Sequence, residues 1–247
     1  MIGKALALRT PSHAPLETNM NILLTNDDGW DAPGLEKLQQ IASQFGDVWT
    51  VAPLKPMSGI SHQVTFEVPM TFEEKSARSF SLDGTPADCV RVGLTQLQTK
   101  FDWVFSGINR GANLGTDTNF SGTVAAVREA SLFNVPGIAF SQHLRHFKAP
   151  FDWTPAGQLA ERVIPELMER KTATNNWFNV NLPDIGDGDA AQVDIVEAEL
   201  DQNPLPATYD SSRAGKLLYC GTYNDRPRTP GCDADVCFSG KVSISLH

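Results

Sequence analysis

Short apolar runs alternate with amphipathic segments along the first two thirds of the chain. Residues 22–25 are an apolar run that ends at a polar turn, which is typical of a buried strand. Pro33 then opens a segment whose apolar residues recur at helical spacing until Gly46, and a second apolar run follows at 48–51. This strand–helix–strand order predicts a parallel sheet of the α/β class.

The alternation continues with a further set of predicted elements. Residues 64–72 and 80–82 are expected to be extended, in an excursion that resembles a hairpin. Thr85 is predicted to cap a helix, since Pro86 and Asp88 follow it at the spacing of a capping box. The elements expected from there on are the end of that helix near 100, a strand at 103–105, a Gly- and Asn-rich loop at 106–119, a helix from 121 to about 133, a strand at 135–140, a helix at 155–170 and a strand at 178–180.

The composition changes after residue 183, where long periodic segments give way to loops. We therefore predict a core at 20–183 and a C-terminal extension of strands and arms at 184–247. Residues 1–19 contain only a four-residue apolar run, too short for a signal peptide, and Met20 directly precedes the first strand. They are expected to be a disordered leader without a function of their own.

Composition and charge narrow the possible partners. The 247 residues carry a formal charge of −9 and a pI near 5.0, which argues against a protein that coats nucleic acid. A small phosphorylated substrate stays possible, because a bound metal ion can reverse the local sign of the charge. No apolar stretch is long enough to span a bilayer, so a soluble, cytoplasmic protein is expected.

The cysteines and two of the histidines are interpreted as structural or solvated. His143 and His146 lie three residues apart in a polar stretch, and we expect both to be exposed to solvent. None of the cysteines forms a CxxC pair, so reduced thiols are expected rather than a zinc site. These cysteines are Cys89, Cys220, Cys232 and Cys237.

Three polar loops follow predicted strands, at 26–29, 53–62 and 106–119. In open α/β sheets, ligands bind at the carboxyl edge of the strands, where loop amides and helix N-termini point. The concentration of unusual polar residues in these three loops therefore predicts a binding site at this edge.

Adjacent carboxylates in the first loop predict a metal site. Asp27 and Asp28 lie at a strand-to-turn junction, where both side chains can point toward one ion. Two close carboxylates repel each other, and a hard cation such as Mg²⁺ or Mn²⁺ removes that repulsion. An Asx-turn with one helix-capping aspartate explains the same two residues, and this alternative stays open.

The third loop offers neutral and cationic groups for a metal-bound phosphate. Asn109 can give an amide oxygen to a metal, and Arg110 can bind a phosphate. The glycines of this loop allow the backbone to approach a ligand closely, although a mobile, turn-rich loop has the same composition. Residues 121–123 place hydroxyls and amides at a helix start, which suits an anion but also ordinary helix capping.

The second loop adds a hydroxyl and an imidazole. Ser58 can complete a metal shell, and His62 can act as an acid or contact a phosphate. From composition alone, both are ordinary loop residues.

Four polar blocks occur in order along the chain: TNDDG at 25–29, GTPADCV at 84–90, SGINRG at 106–111 and SGTV at 121–124. Together they resemble the signature blocks of the SurE family of 5′-nucleotidases, named for stationary-phase survival. The resemblance implies a Rossmann-like core, a mostly parallel sheet with helices on both faces. It also implies assembly into a homodimer or homotetramer through the C-terminal extension.

The resemblance further implies one divalent metal ion per subunit, Mg²⁺ or Mn²⁺, with Asp27, Asp28, Ser58 and Asn109 as ligands. We predict hydrolysis of nucleoside 5′-monophosphates, or of the 3′ isomers, by water that the metal activates, with Asp27, Asp28 and Asn109 as catalytic residues. One of the two aspartates is the expected general base. The residues expected to hold the substrate and its phosphate are Asn26, His62, Gly107, Arg110, Asn113, Ser121, Gly122 and Thr123.

Several other functions are weighed against this hypothesis. Phosphatases that form an aspartyl-phosphate need Asp-x-Asp, whereas Gly29 and Trp30 follow the aspartate pair here. A non-catalytic receiver-like signalling module needs a carboxylate at the end of a later central strand, and residues 104–106 supply none. No GxGxxG follows a strand, which disfavours a dinucleotide-binding domain. Hydrolysis of other small phosphate esters or of polyphosphate stays open.

Overall fold

A mixed, mostly parallel sheet forms the centre of the protein, whose computed structural model describes residues 20–145, 151–170 and 176–247. Within these residues the main sheet has nine strands, in the order β3-β4-β2-β1-β5-β6-β7-β11-β8, and a small separate hairpin pairs β9 with β10. The strands are β1 (Asn21–Thr25), β2 (Asp47–Pro53), β3 (Phe72–Ser76), β4 (Ser79–Leu82), β5 (Trp103–Arg110), β6 (Gly137–Gln142), β7 (Trp177–Leu182), β8 (Ile195–Glu197), β9 (Tyr209–Asp210), β10 (Leu218–Tyr219) and β11 (Val242–Leu246).

Helices connect successive parallel strands and pack on both faces of the sheet. β1 is joined to β2 by α1 (Pro33–Ala42), β4 to β5 by α2 (Pro86–Gln96), β5 to β6 by α3 (Gly122–Leu132) and β6 to β7 by α4 (Thr154–Glu169). The short α5 (Asp233–Phe238) precedes β11. The predicted capping box of α2 is present: the Thr85 hydroxyl accepts from the Asp88 amide at 3.1 Å, and the Asp88 carboxylate accepts from the Thr85 amide at 3.0 Å. The predicted end of α2 near residue 100 is wrong, because the chain turns extended at Leu97.

The hydrophobic core divides into two layers, one on each face of the sheet. Ile22 and Leu24 of β1 pack with α1 and α4, whereas Leu23 points to the opposite face and packs with α2 and α3. This alternation follows from the two-residue period of a strand that is covered on both faces. The predicted fold class, a parallel α/β sheet with helices on both faces, is thereby confirmed.

Two extended segments differ from their predicted bounds. The loop predicted at 106–119 begins too early, because residues 106–110 continue β5 between β1 and β6. Their glycine and asparagine content obscures the strand, and the pairing with β6 is interrupted between Ser106 and Asn109. The hairpin predicted to begin near residue 64 begins at Phe72, since the preceding residues run as an irregular loop.

The segment beyond residue 183 contributes to the main sheet as well as to an arm. Strand β11 pairs antiparallel with β7 and parallel with β8, so the boundary placed there does not separate two sheets. The hairpin of β9 and β10 stands apart from the main sheet, and Tyr209, Leu217 and Leu218 on it are exposed.

In the part of the chain that the structure describes, no helix is long and apolar enough to cross a membrane.

The strand order places a switch point at the middle of the sheet. The chain runs from β1 outward to β2 and β4, and then returns so that β5 lies on the other side of β1. The connections leaving β1 and β5 therefore diverge, which opens a crevice at the carboxyl edge.

Candidate functional site

The loops that follow β1 and β5 meet at this crevice. Thr25 pairs with Ser106 across the two strands, so the residues that follow each of them are neighbours. The backbone amide of Arg110 donates to the Asp28 carboxylate at 2.9 Å, which joins the two loops directly.

The second predicted loop and helix α3 converge on the neighbouring carboxylate. Asp27 is buried, with 5% of its surface exposed. Its Oδ1 accepts a hydrogen bond from the Thr123 hydroxyl at 2.6 Å, and its backbone carbonyl accepts from the amide of Met57 at 2.7 Å. The structure thus brings together all three loops that the sequence singled out, with the N-terminus of α3 as a fourth element.

The environment of the two aspartates disfavours their charged forms. Burial raises the pKa of Asp27 from 3.8 to about 6, and the nearby charge of Asp28 also raises it, against the lowering effect of the Thr123 hydrogen bond. Burial raises the pKa of Asp28 as well, although the Arg110 amide and guanidinium oppose this rise. A cation placed between the carboxylates would favour their charged forms.

Two neutral side chains can complete an oxygen ligand set. The Asn109 amide nitrogen donates to the Gly111 carbonyl at 2.7 Å, which turns the amide oxygen the other way. Ser58 is exposed and directly follows Met57, whose amide is bonded to Asp27. Among the described residues, no group of three or more His, Cys, Asp and Glu side chains is placed to hold a metal ion. The donors at this edge are therefore two carboxylates with neutral oxygens, which fit a hard cation such as Mg²⁺ or Mn²⁺.

Two glycines are required by close packing around the site. A Cβ atom on Gly122 would lie 2.9 Å from the Asp27 Cβ and 3.1 Å from its Oδ2. Gly107 has a φ of +126°, and a Cβ there would lie 2.3 Å from the Phe140 carbonyl oxygen. Gly122 thus leaves room for the Asp27 side chain, and Gly107 lets β5 approach the backbone of β6.

Asn26 and Ser121 have structural contacts at the same edge. The Asn26 amide nitrogen donates to the Gly29 carbonyl at 2.8 Å, which holds the turn that carries the aspartates. Its buried amide oxygen has no hydrogen-bond partner within the described residues. Ser121 caps α3 by accepting from the Val124 amide at 3.0 Å, the alternative role considered for this serine.

His62 is held by a buried carboxylate. Its Nε2 lies 2.7 Å from Oε2 of Glu129 on α3, and Arg91 of α2 donates to the other oxygen of Glu129 at 3.0 Å. Glu129 was not singled out in the sequence, where it reads as one more charge on an amphipathic helix. Through these contacts, Glu129 connects the second loop to α2 and α3 beside the crevice.

Asn113 of the third loop is hydrogen-bonded to β6 and β7 through both its side chain and its backbone. Its side chain donates to the Ser141 hydroxyl at 2.7 Å, and its backbone amide donates to the Asn181 amide oxygen at 2.8 Å. Its carbonyl accepts from the side chains of Asn179 and Asn181. The structure uses this predicted substrate residue to anchor the loop on β6 and β7.

The predicted exposure of His143 is wrong. This histidine is 5% exposed, its ring lies 4.4 Å from the Phe238 ring, and burial lowers its pKa. The polar sequence around it is misleading, because α5 of the C-terminal extension covers this stretch. His146 lies outside the described residues.

A cavity of about 420 Å³ opens beside the two loops. Asp28 and Arg110 line it, and aromatic rings at the start of α4 form part of its wall. These rings were missed in the sequence, because they follow β6 in a stretch without a recognisable motif. The residues that line it are Asp28, Asp31, Ala32, Pro33, Gly34, Arg110, Phe151 and Trp153.

The fold and this site define a parallel α/β protein whose ligand-binding edge carries two strained carboxylates beside a cavity. Residues 22–202 match the family model described as "Survival protein SurE". The chain belongs to the SurE family, as its four sequence blocks indicate.

Relatives and a solved structure agree with this membership. A curated relative from Nostoc sp. is 42% identical over 226 residues, which cover 92% of this chain and 98% of the relative. A protein of Paramagnetospirillum magneticum named 5′-nucleotidase SurE is 36% identical, with 92% and 89% covered. The crystal structure of the SurE protein from Aquifex aeolicus superposes with a TM-score of 0.80 at 28% identity, with 92% of each chain covered.

Proposed function

We propose that this protein is a divalent-metal-dependent nucleotidase that hydrolyses nucleoside 5′-monophosphates to nucleoside and phosphate. Relatives named 5′-nucleotidase support the reaction class. The observation that carries the metal dependence is the pair of strained carboxylates, Asp27 and Asp28, fixed by Thr123 and by the Arg110 amide.

The residues that would hold the cation are Asp27, Asp28, Asn109 and Ser58. When bound, a divalent cation neutralises phosphate oxygens and activates a water molecule for attack on phosphorus. Thr123 and the Arg110 amide keep the two carboxylates oriented toward the crevice. Because these contacts are made within the protein itself, little reorganisation is needed during the reaction.

The phosphoryl group would lie between the third loop and α3. The N-terminus of α3 presents backbone amides beside Asp27, where Gly122 allows a close approach. Arg110 lines the cavity next to Asp28 and supplies a cationic side chain. Asn113 is left out of this assignment because its amide is bonded to Ser141.

Metal-dependent turnover of a substrate panel tests the proposal. The panel contains AMP, 3′-AMP, polyphosphate and a simple phosphate ester, each assayed with Mg²⁺, with Mn²⁺ and with a chelator. We expect 5′-monophosphates to be preferred and Asp28→Asn to lower kcat/KM by about a hundredfold or more, since it removes a charged ligand. Asp47→Asn, at the opposite edge of the sheet, is the matched control. Equal turnover in the chelator would contradict the proposal.

Direct attack by water is the second part of the proposal. Gly29 and Trp30 cannot supply the acid that an aspartyl nucleophile needs two residues on. His62, the nearest base to Ser58 along the chain, is bonded to Glu129. A single displacement inverts configuration at phosphorus, so a chiral, isotopically labelled thiophosphate ester should give inversion. Net retention would indicate a covalent intermediate.

A further inference from the structure

The cavity beside Asp28 has an aromatic wall that the reaction at phosphorus does not use. Phe151 and Trp153 contribute this wall, and the same cavity is lined by Asp28 and by Arg110, whose backbone amide is bonded to Asp28. We infer that the cavity binds the nucleobase of the substrate, with Trp153 as the surface on which the base stacks. This inference rests on the proposed function, because the phosphate position fixes which end of the substrate enters the cavity.

The indole of Trp153 is held in place by the first turn of α1. A Cβ atom on Gly34 would lie 2.9 Å from an edge carbon of this indole and 2.0 Å from the Ile108 carbonyl oxygen. The absence of a side chain at Gly34 therefore lets the first turn of α1 lie against both the indole and the backbone of β5. Ile108 directly precedes Asn109, so this turn of α1 contacts both the ring wall and the strand that carries a proposed metal ligand.

Phe151 supports the indole from a second side. The two rings lie 5.0 Å apart between centroids, at an interplanar angle of 83°. Such an edge-to-face pair restrains both rings without covering both of their faces. Both side chains are only partly buried, so the wall offers aromatic surface to a ligand.

The size and polarity of the cavity suit a nucleoside. Its volume of about 420 Å³ lies within the range of roughly 300 to 1,000 Å³ that is usual for small-molecule sites. Asp31 is an exposed carboxylate on its lining, able to accept hydrogen bonds from ribose hydroxyls or from the N–H groups of a base. With the phosphate at Asp28 and Arg110, the nucleoside would extend along the aromatic wall.

Comparison of a substrate that has a base with one that lacks it tests the inference. We expect Trp153→Leu to lower kcat/KM for AMP by about tenfold, the typical effect of losing one base–aromatic stacking contact. Turnover of ribose 5-phosphate should change less than about twofold, because this substrate has no base to stack. Trp153→Phe should restore most of the AMP activity. Trp49→Leu, a tryptophan of β2 outside the cavity, is the matched control.

Binding of adenosine provides a readout that does not depend on catalysis. Calorimetry with adenosine should show weaker binding to Trp153→Leu than to the wild-type protein and unchanged binding to Trp49→Leu. Phe151→Leu takes the place of Trp153→Leu if the latter does not fold, as judged by circular dichroism.

Each outcome separates the inference from the proposed function. Equal losses for AMP and ribose 5-phosphate, or no loss for either, would overturn the assignment of the base. Failure of the wild-type protein to hydrolyse any phosphate ester would refute the proposed function. In that case unchanged adenosine binding by Trp153→Leu would overturn the inference as well, whereas weakened binding would support it.

Discussion

Replacing Asp27 by asparagine is expected to stabilise the metal-free protein while destroying the proposed cation site. The variant keeps the shape of the side chain and still accepts the Thr123 hydroxyl, but it removes the buried charge. A carboxyl whose pKa is raised in the folded state binds protons more tightly there than in the unfolded chain. It therefore favours folding at low pH, and this contribution is lost as the pH rises.

The structure gives the size and the pH window of this effect. Raising the pKa of Asp27 from 3.8 to about 6 corresponds to about 3 kcal/mol, at about 1.4 kcal/mol for each pH unit. The loss should occur between about pH 4 and pH 6 and stay constant at higher pH. The raised pKa of Asp28 adds a contribution of the same sign.

Urea denaturation in a chelator at several pH values measures the effect. At pH 8 the free energy of unfolding of Asp27→Asn should exceed that of the wild-type protein by up to about 3 kcal/mol, and at pH 4 the two should agree. Mn²⁺ at a thousand times its Kd should reverse the order, since a cation at that concentration stabilises the folded wild-type protein by about 4.1 kcal/mol. A variant that is no more stable than the wild-type protein at pH 8 without metal would refute the reasoning.

Three further predictions concern other contacts. Gly122→Ala should displace Asp27 and lower both Mn²⁺ affinity and turnover by about tenfold or more, as calorimetry and activity assays would show; unchanged affinity would contradict the close approach. Glu129→Gln should cost about 1–3 kcal/mol in urea denaturation, because an NH₂ donor replaces one of the two buried carboxylate oxygens that His62 and Arg91 contact, and the negative charge is lost. Deleting residues 207–221, with the exposed hairpin, should lower the assembly mass in light scattering; an unchanged mass would exclude this arm from self-association.

The central part of the fold and its polar edge could be predicted because local patterns determine them. Two-residue alternation and buried apolar runs indicate the strands, and Thr85 with Asp88 indicates the start of α2. The acidic pair at 27 and 28 follows a strand directly, so its place at the carboxyl edge follows from chain order alone.

Other parts depend on contacts between distant segments. The burial of His143 requires α5, which lies about 90 residues further on, and no local pattern indicates that cover. The wall formed by Trp153 depends on Gly34, a glycine of another helix. The engagement of Asn113 with β6 and β7 likewise follows only from the packed structure.

The hydrogen bonds that assemble the crevice join residues far apart in the sequence: 82 positions separate Asp28 from Arg110, and 96 separate Asp27 from Thr123. Neither contact can form until β5 has docked beside β1 and α3 has packed behind them. Contacts across such long loops form late, because closing the loop costs entropy before any contact compensates for it. During refolding, Mn²⁺ binding should therefore appear after most of the helical circular dichroism signal has returned, which makes the ion a reporter of tertiary docking.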